Sequence, residues 1–181
     1  MRRSHAARGQ ALPIMALALW IVVLFAVGLW AGLRQHADYA LVARLAAAAA
    51  HDGSLVLSDR SLAGGPPAVA CGPAPCDGAT CPRIVAADPD GTTAVGQACR
   101  SFAALLERAY PGVHVRVDPA DALAHTRVWG LGAGDHEPEG AQRLLHYPTI
   151  YLATDIYVGL VESDGAGLRY HIDVSDDMAY R

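Results

Sequence analysis

The sequence predicts an α+β protein. A long N-terminal transmembrane α-helix continues outside the membrane and leads into a small disulfide-stapled extracytoplasmic domain with one helix and a small antiparallel sheet. Three observations predict this. Residues 11–33, ALPIMALALWIVVLFAVGLWAGL, contain no charge. Four cysteines, Cys71, Cys76, Cys81 and Cys99, all follow that run. Towards the C-terminal end, two β-rich runs at 149–162 and 168–174 flank a turn rich in glycine. The boundaries read from these signals are a basic cytoplasmic leader at 1–10, the span at 11–33, its helical extension at 34–52 and the outer domain at 53–181.

The span comes first. A bilayer's hydrocarbon core is about 30 Å thick and needs about 20 apolar residues in a helix. Backbone groups in lipid must bond to each other, so the run is helical despite Ile21, Val22 and Val23. Pro13 is placed near the helix start, where a missing N–H is tolerated. Trp30 marks the outer interface, whereas Trp20 lies too deep for an aromatic belt and is expected on a partner helix. The run exceeds the short apolar core of a cleaved secretory signal, about 7–15 residues, so an anchor is the expectation. Arg2, Arg3 and Arg8 precede it with no acid among them, which puts the N-terminus in the cytoplasm.

Charge excludes one class of partner. The formal net charge is −4, and the three leader arginines leave everything after residue 10 more acidic still. Nucleic acid requires a basic face, so none is expected as a partner.

Residues 34–51 have high helix propensity and neither Gly nor Pro. They extend the span as one rod from about residue 10 to 51, roughly 60 Å at 1.5 Å per residue. Leu41, Val42 and Leu45 share a face of it with Ala37, Ala48 and Ala49, suited to packing on the chain's own globular part or on a neighbouring helix. Asp52 and Gly53 end the rod, the glycine serving as a left-handed cap.

Residues 54–91 are expected to be mostly irregular, with a short strand at 54–57 and turn chemistry at 64–67 and 71–76. Cysteines stapling such a loop in an oxidising space form disulfides, with three possible pairings. Zinc prefers gaps of two residues within a cysteine pair, and the gaps here are wider, so no metal is expected. Asp88, Pro89, Asp90 and Gly91 make a turn, lacking the alternating oxygen ligands of a calcium loop.

A second helix spans 92–110, capped by Thr92 or Thr93, with Phe102, Leu105 and Leu106 as its apolar stripe and Pro111-Gly112 as its stop. Cys99 lies on it and is expected to tie it to the loop. Residues 113–117 alternate as a half-buried strand and are expected in the terminal sheet. A helical turn at 119–125, a strand at 127–131 and a polar loop at 132–140 follow. The last two runs pair antiparallel around the turn at 163–167.

No catalytic constellation emerges. His125, His136 and His146 lack a second ligand at helical spacing, and Pro138 removes the helix that an HExxH-type site needs. No nucleophile elbow, P-loop or dinucleotide fingerprint occurs. No enzyme activity and no cofactor are expected.

The stretch from Arg8 through Gly9, Gln10, Ala11 and Leu12, followed by Ala16 to Leu19, resembles the N-terminus of TadE/TadG-like proteins, pseudopilin-like components of Tad (Flp-type) pilus assembly. The alanine-rich extension at 35–50 resembles the family's post-membrane helix. The resemblance covers residues 2 to about 50. It implies a pilin-like architecture, a leader-processing position at Gly9 and Gln10, and partners among pilin-like subunits and assembly proteins besides membrane lipid. Ile14 stands where TadE-like members carry Glu, so the TadG-like branch, whose members often lack it, is the closer one. The other class left open is a single-pass anchored binding or sensor module that does not polymerise.

Overall fold

The structure, a computed structural model, describes residues 6–62, 76–112, 116–139, 143–159 and 167–177. The chain divides into two compact units, Met1–Ala37 and Asp38–Arg181. Helix α1, Ala6–Leu62, contributes to both.

In the first unit α1 is a bare apolar helix. Between Ile14 and Leu33 its large side chains are exposed. Pro13 sits inside the helix rather than at its first turn, because helical backbone already begins at Ala6. The Arg34 guanidinium lies 4.9 Å from the Trp30 ring centroid, a cation–π contact.

The second unit is built on the remainder of α1. Val42, Ala46, Ala49 and Ala50 are fully buried, a stripe at helical spacing. This face packs within the chain, in one core with residues of an antiparallel sheet and of the later helices. The helix continues to Leu62, so Asp52-Gly53 does not end it and residues 54–57 are not a strand. Gly53 is there for proximity. A Cβ built on it would sit 2.8 Å from the Ala94 carbonyl oxygen and 3.0 Å from the Ala98 Cβ. Only glycine lets α1 come that close to its neighbour, and tertiary packing overrides the glycine's weak helix propensity.

The segment after residue 75 is more regular than its Pro/Gly content suggests. Strand β1, Asp77–Thr80, runs straight into helix α2, Cys81–Ala87, with a proline in the first turn, where its missing N–H costs nothing. The expected turns at 64–67 and 71–75 lie outside the described residues. Helix α3, Ala94–Ala109, is capped by Thr93, whose Oγ1 accepts from the Gly96 N–H at 3.0 Å. Phe102 and Leu106 of its stripe are fully buried and Leu105 only partly. Helix α4, Pro119–Ala124, is capped by Asp118.

Four strands form one sheet in the order β1-β2-β3-β4, antiparallel throughout. β2 is Thr126–Leu131, β3 is Thr149–Gly159 and β4 is Gly167–Asp177. The final pair agrees with the sequence reading. The strand expected at 113–117 is not found where it is described: Arg116 and Val117 form a bend, and residues 113–115 lie outside the described set. Arg116 instead meets the end of β3. Its carbonyl accepts from the Gly159 N–H at 2.8 Å, and its Nε donates to the Gly159 carbonyl at 3.2 Å. β1 is the strand the sequence reading overlooked.

Side chains on β3 alternate between two covered faces. Ile150, Leu152, Ile156 and Val158 face the helices and are fully buried. Tyr151 and Ala153, on the opposite face, are also 1% exposed. Glu137 and Glu139 of residues 132–139 reach over that second face to Ser175, Arg127 and His171, and residues 143–147 join this arm through a bridge between His136 and Leu144.

Candidate functional site

The anchor segment is the first candidate. α1 is the one helix, among the described residues, long and apolar enough to cross a membrane, and none of its most apolar window is buried. Trp20 is 67% exposed. On the outer extension Val42 is fully buried, Leu45 packs partly against the core and Leu41 remains partly exposed. Of the candidate packing residues, Val42 and Leu45 meet the chain's own core, and Trp20 and Leu41 are exposed. Gly9 and Gln10 lie within helical backbone near the start of α1.

The cysteines among the described residues are oxidised. Cys81, at the head of α2, is disulfide-bonded to Cys99 on α3, with Cα atoms 5.4 Å apart and both residues buried. Cys99 is thus tied to a helix rather than to an irregular loop. Cys76 is also disulfide-bonded, and Cys71 lies outside the described residues. Among the described residues no cluster of three or more His, Cys, Asp or Glu side chains is arranged to hold a metal ion.

Ser, His and Asp do converge at one point. Ser54 donates its hydroxyl to Asp176, and His51 Nδ1 lies 3.0 Å from the same Asp176 oxygen. The carboxylate stands between hydroxyl and imidazole, so the order is wrong for a nucleophile activated by a histidine base. The trio instead fastens α1 to the end of β4.

Two polar centres escaped the sequence reading. Asp88 is 3% exposed and accepts four hydrogen bonds: from the Thr93 hydroxyl and N–H at 2.6 and 2.8 Å, and from the Thr92 N–H and hydroxyl at 3.0 and 3.1 Å. Burial pushes this carboxyl up, but the bonds from Thr93 and Thr92 outweigh it and hold the pKa at about 2. A folded-state value below the unfolded one gives stability that is present above about pH 4 and is lost as pH falls towards 2. The wild-type protein is expected to lose about 2 kcal/mol of unfolding free energy over that interval beyond what Asp88→Asn loses. Denaturant titrations at pH 5 and pH 2 measure the difference. An equal slope in both proteins contradicts the assignment.

The second centre joins α1 to the sheet. Arg116 Nη1 lies 3.0 Å from Asp38 Oδ2, and their side chains are 9% and 18% exposed. The Tyr110 hydroxyl approaches the other Asp38 oxygen at 3.5 Å. Burial raises the Tyr110 pKa to about 12, helped by the Asp38 charge and hydrogen bond.

The sheet's second face is a polar network around two aromatic rings. Trp129 and Tyr151 meet edge to face at 5.4 Å, and Arg127 lies 5.3 Å from the Trp129 ring centroid. The Tyr151 hydroxyl donates to Asp173 at 3.2 Å, and burial together with that carboxylate pushes its pKa up. Glu137 accepts from Ser175 at 3.2 Å, and Glu139 pairs with Arg127 and, at 3.2 Å, with His171.

Comparison with protein-family models, curated proteins and solved structures finds no significant match.

Proposed function

We propose that the chain is a non-enzymatic, membrane-anchored, pseudopilin-like component of a Tad-type pilus or a related envelope assembly, closest to TadG-like proteins. The observation that carries this is one helix with two jobs. Its first part offers exposed apolar side chains along residues 14–33, and residues 42–54 supply the buried spine of an α+β unit. A subunit that packs by its rod and presents a head outward needs that division of labour.

Two features support an N-terminus in the cytoplasm and a second unit outside. Arginines precede the apolar run, which favours an N-terminus in the cytoplasm. Buried disulfide chemistry in the second unit suits an oxidising space on the other side.

The test places a charge in the span. Leu24→Arg is expected to reduce recovery in the membrane fraction at least tenfold, since a centrally placed Arg costs about 2.5–3.5 kcal/mol on insertion scales. Co-purification with pilin-like subunits should fall with it. Membrane association unchanged by the substitution contradicts the anchor. Intact association without any pilin-like partner in the wild-type preparation contradicts the assembly role and favours the anchored binding module.

A further inference from the structure

We propose that residues 132–139 and 143–147 form a strap over the sheet whose hold tightens when His171 carries a proton. His171 lies between two carboxylates on opposite sides of its ring. Nδ1 is 2.8 Å from Asp155 Oδ1 on β3, and Nε2 is 3.2 Å from Glu139 Oε2 on the strap. The register sets Asp155 directly across from His171, so the sheet contact is built into the strand pairing.

A neutral imidazole has one N–H and one lone pair. It can donate to Asp155 or to Glu139, and it then turns a lone pair towards the remaining carboxylate. The imidazolium donates to both. Protonation therefore makes the Nε2 bond to the strap permanent, where the neutral ring makes it in one tautomer only, and it removes a lone-pair repulsion. Imidazole side chains change charge between about pH 5 and pH 8, an interval in which ordinary carboxylates stay ionised.

The surrounding charges decide how large the response is. Glu139 also holds Arg127 of β2, and Glu137 holds Ser175 of β4 and, at 3.5 Å, Arg143 of the strap. On β4, Arg169 and Asp173 flank His171 on the same face, opposite Tyr157 and Ala153 of β3. Tyr151 beneath the strap feels Asp173, Glu139 and Glu137 together. The fixed contacts keep the strap in place at neutral pH, and His171 sets how often it lifts. Lifting uncovers Tyr151, which is 1% exposed when covered.

Amide exchange of the full chain in detergent micelles, corrected for the intrinsic pH dependence, reads this directly. The Glu137 N–H bonds the Arg143 carbonyl and the Leu145 N–H bonds the Asp135 carbonyl, bonds between the strap's two arms that are expected to open when the arms come away from the sheet. Their protection is expected to be about threefold higher at pH 5 than at pH 8, the scale of a partly exposed ion pair. His171→Gln, neutral at both values, should flatten the ratio. Glu139→Gln should flatten it too while leaving the His171–Asp155 contact in place. A wild-type ratio of one, a reversed ratio, or a ratio that survives either substitution overturns the proposal.

Discussion

Asp38→Ala is expected to lower the unfolding free energy by about 3 kcal/mol. Removing one partner of a buried ion pair leaves the other charge in a poorly solvated place, and that penalty exceeds what the pair contributes when complete. Arg116 is 91% buried, and its Nη2 has no hydrogen-bond partner among the described residues. Its Nη1 depends on Asp38, while Nε keeps the Gly159 carbonyl. The double variant Asp38→Ala/Arg116→Leu should regain most of the loss, because the stranded charge is gone. Chemical unfolding of the full chain in detergent, followed by circular dichroism, gives both numbers. A double variant no better than the single one shows that the pair was not the cause. The loss should also detach the first turn of the second unit's spine, since Tyr110 leans on the same carboxylate.

Removing the Cys81–Cys99 bridge comes next in size. Replacing both cysteines with alanine is expected to cost about 3 kcal/mol. The cross-link closes a loop with a sequence separation of 18, and in the chain-entropy model such a closure restricts the unfolded ensemble by about that amount. Both sulfurs are buried between α2 and α3, so the alanines also forfeit packing, and the measured value should not fall below about 2 kcal/mol. Comparing the double variant with the wild type under oxidising conditions measures it. Equal stabilities contradict a structural role for the bridge.

How much of this was legible beforehand depended on whether a signal was local. The apolar run, the Thr93 cap, the α3 stripe and the β3–β4 pair are all written in neighbouring residues, and each agrees with the structure. The misreadings have a common origin in distance along the chain. Gly53 looks like a helix stop until Ala94, forty-one positions later, is found against it. Residues 77–80 look like loop until the Gly130 N–H donates to the Cys76 carbonyl and β2 supplies a ladder. Turn-like composition at β1 reflects its place at the sheet edge, where pairing comes from one side only. Asp88 reads as turn chemistry, and it does begin a turn. Its buried role is visible in sequence only as an acid four and five residues before a Thr pair. The pairing of Asp38 with Arg116, and the approach of Glu139 to His171, join residues with nothing in common until the chain has folded.

Gly53 also governs what substitutions the interior can absorb. The room beside it is shared with Ala98 and the main chain of Ala94, and Ile150 closes the third side at 3.4 Å. Surrendering the Ala98 methyl would not open position 53 to a side chain, because the main-chain oxygen of Ala94 would still stand 2.8 Å from the added Cβ. Position 53 is therefore closed to any residue but glycine at that crossing, even though in the sequence it looks like an ordinary small residue on a helix.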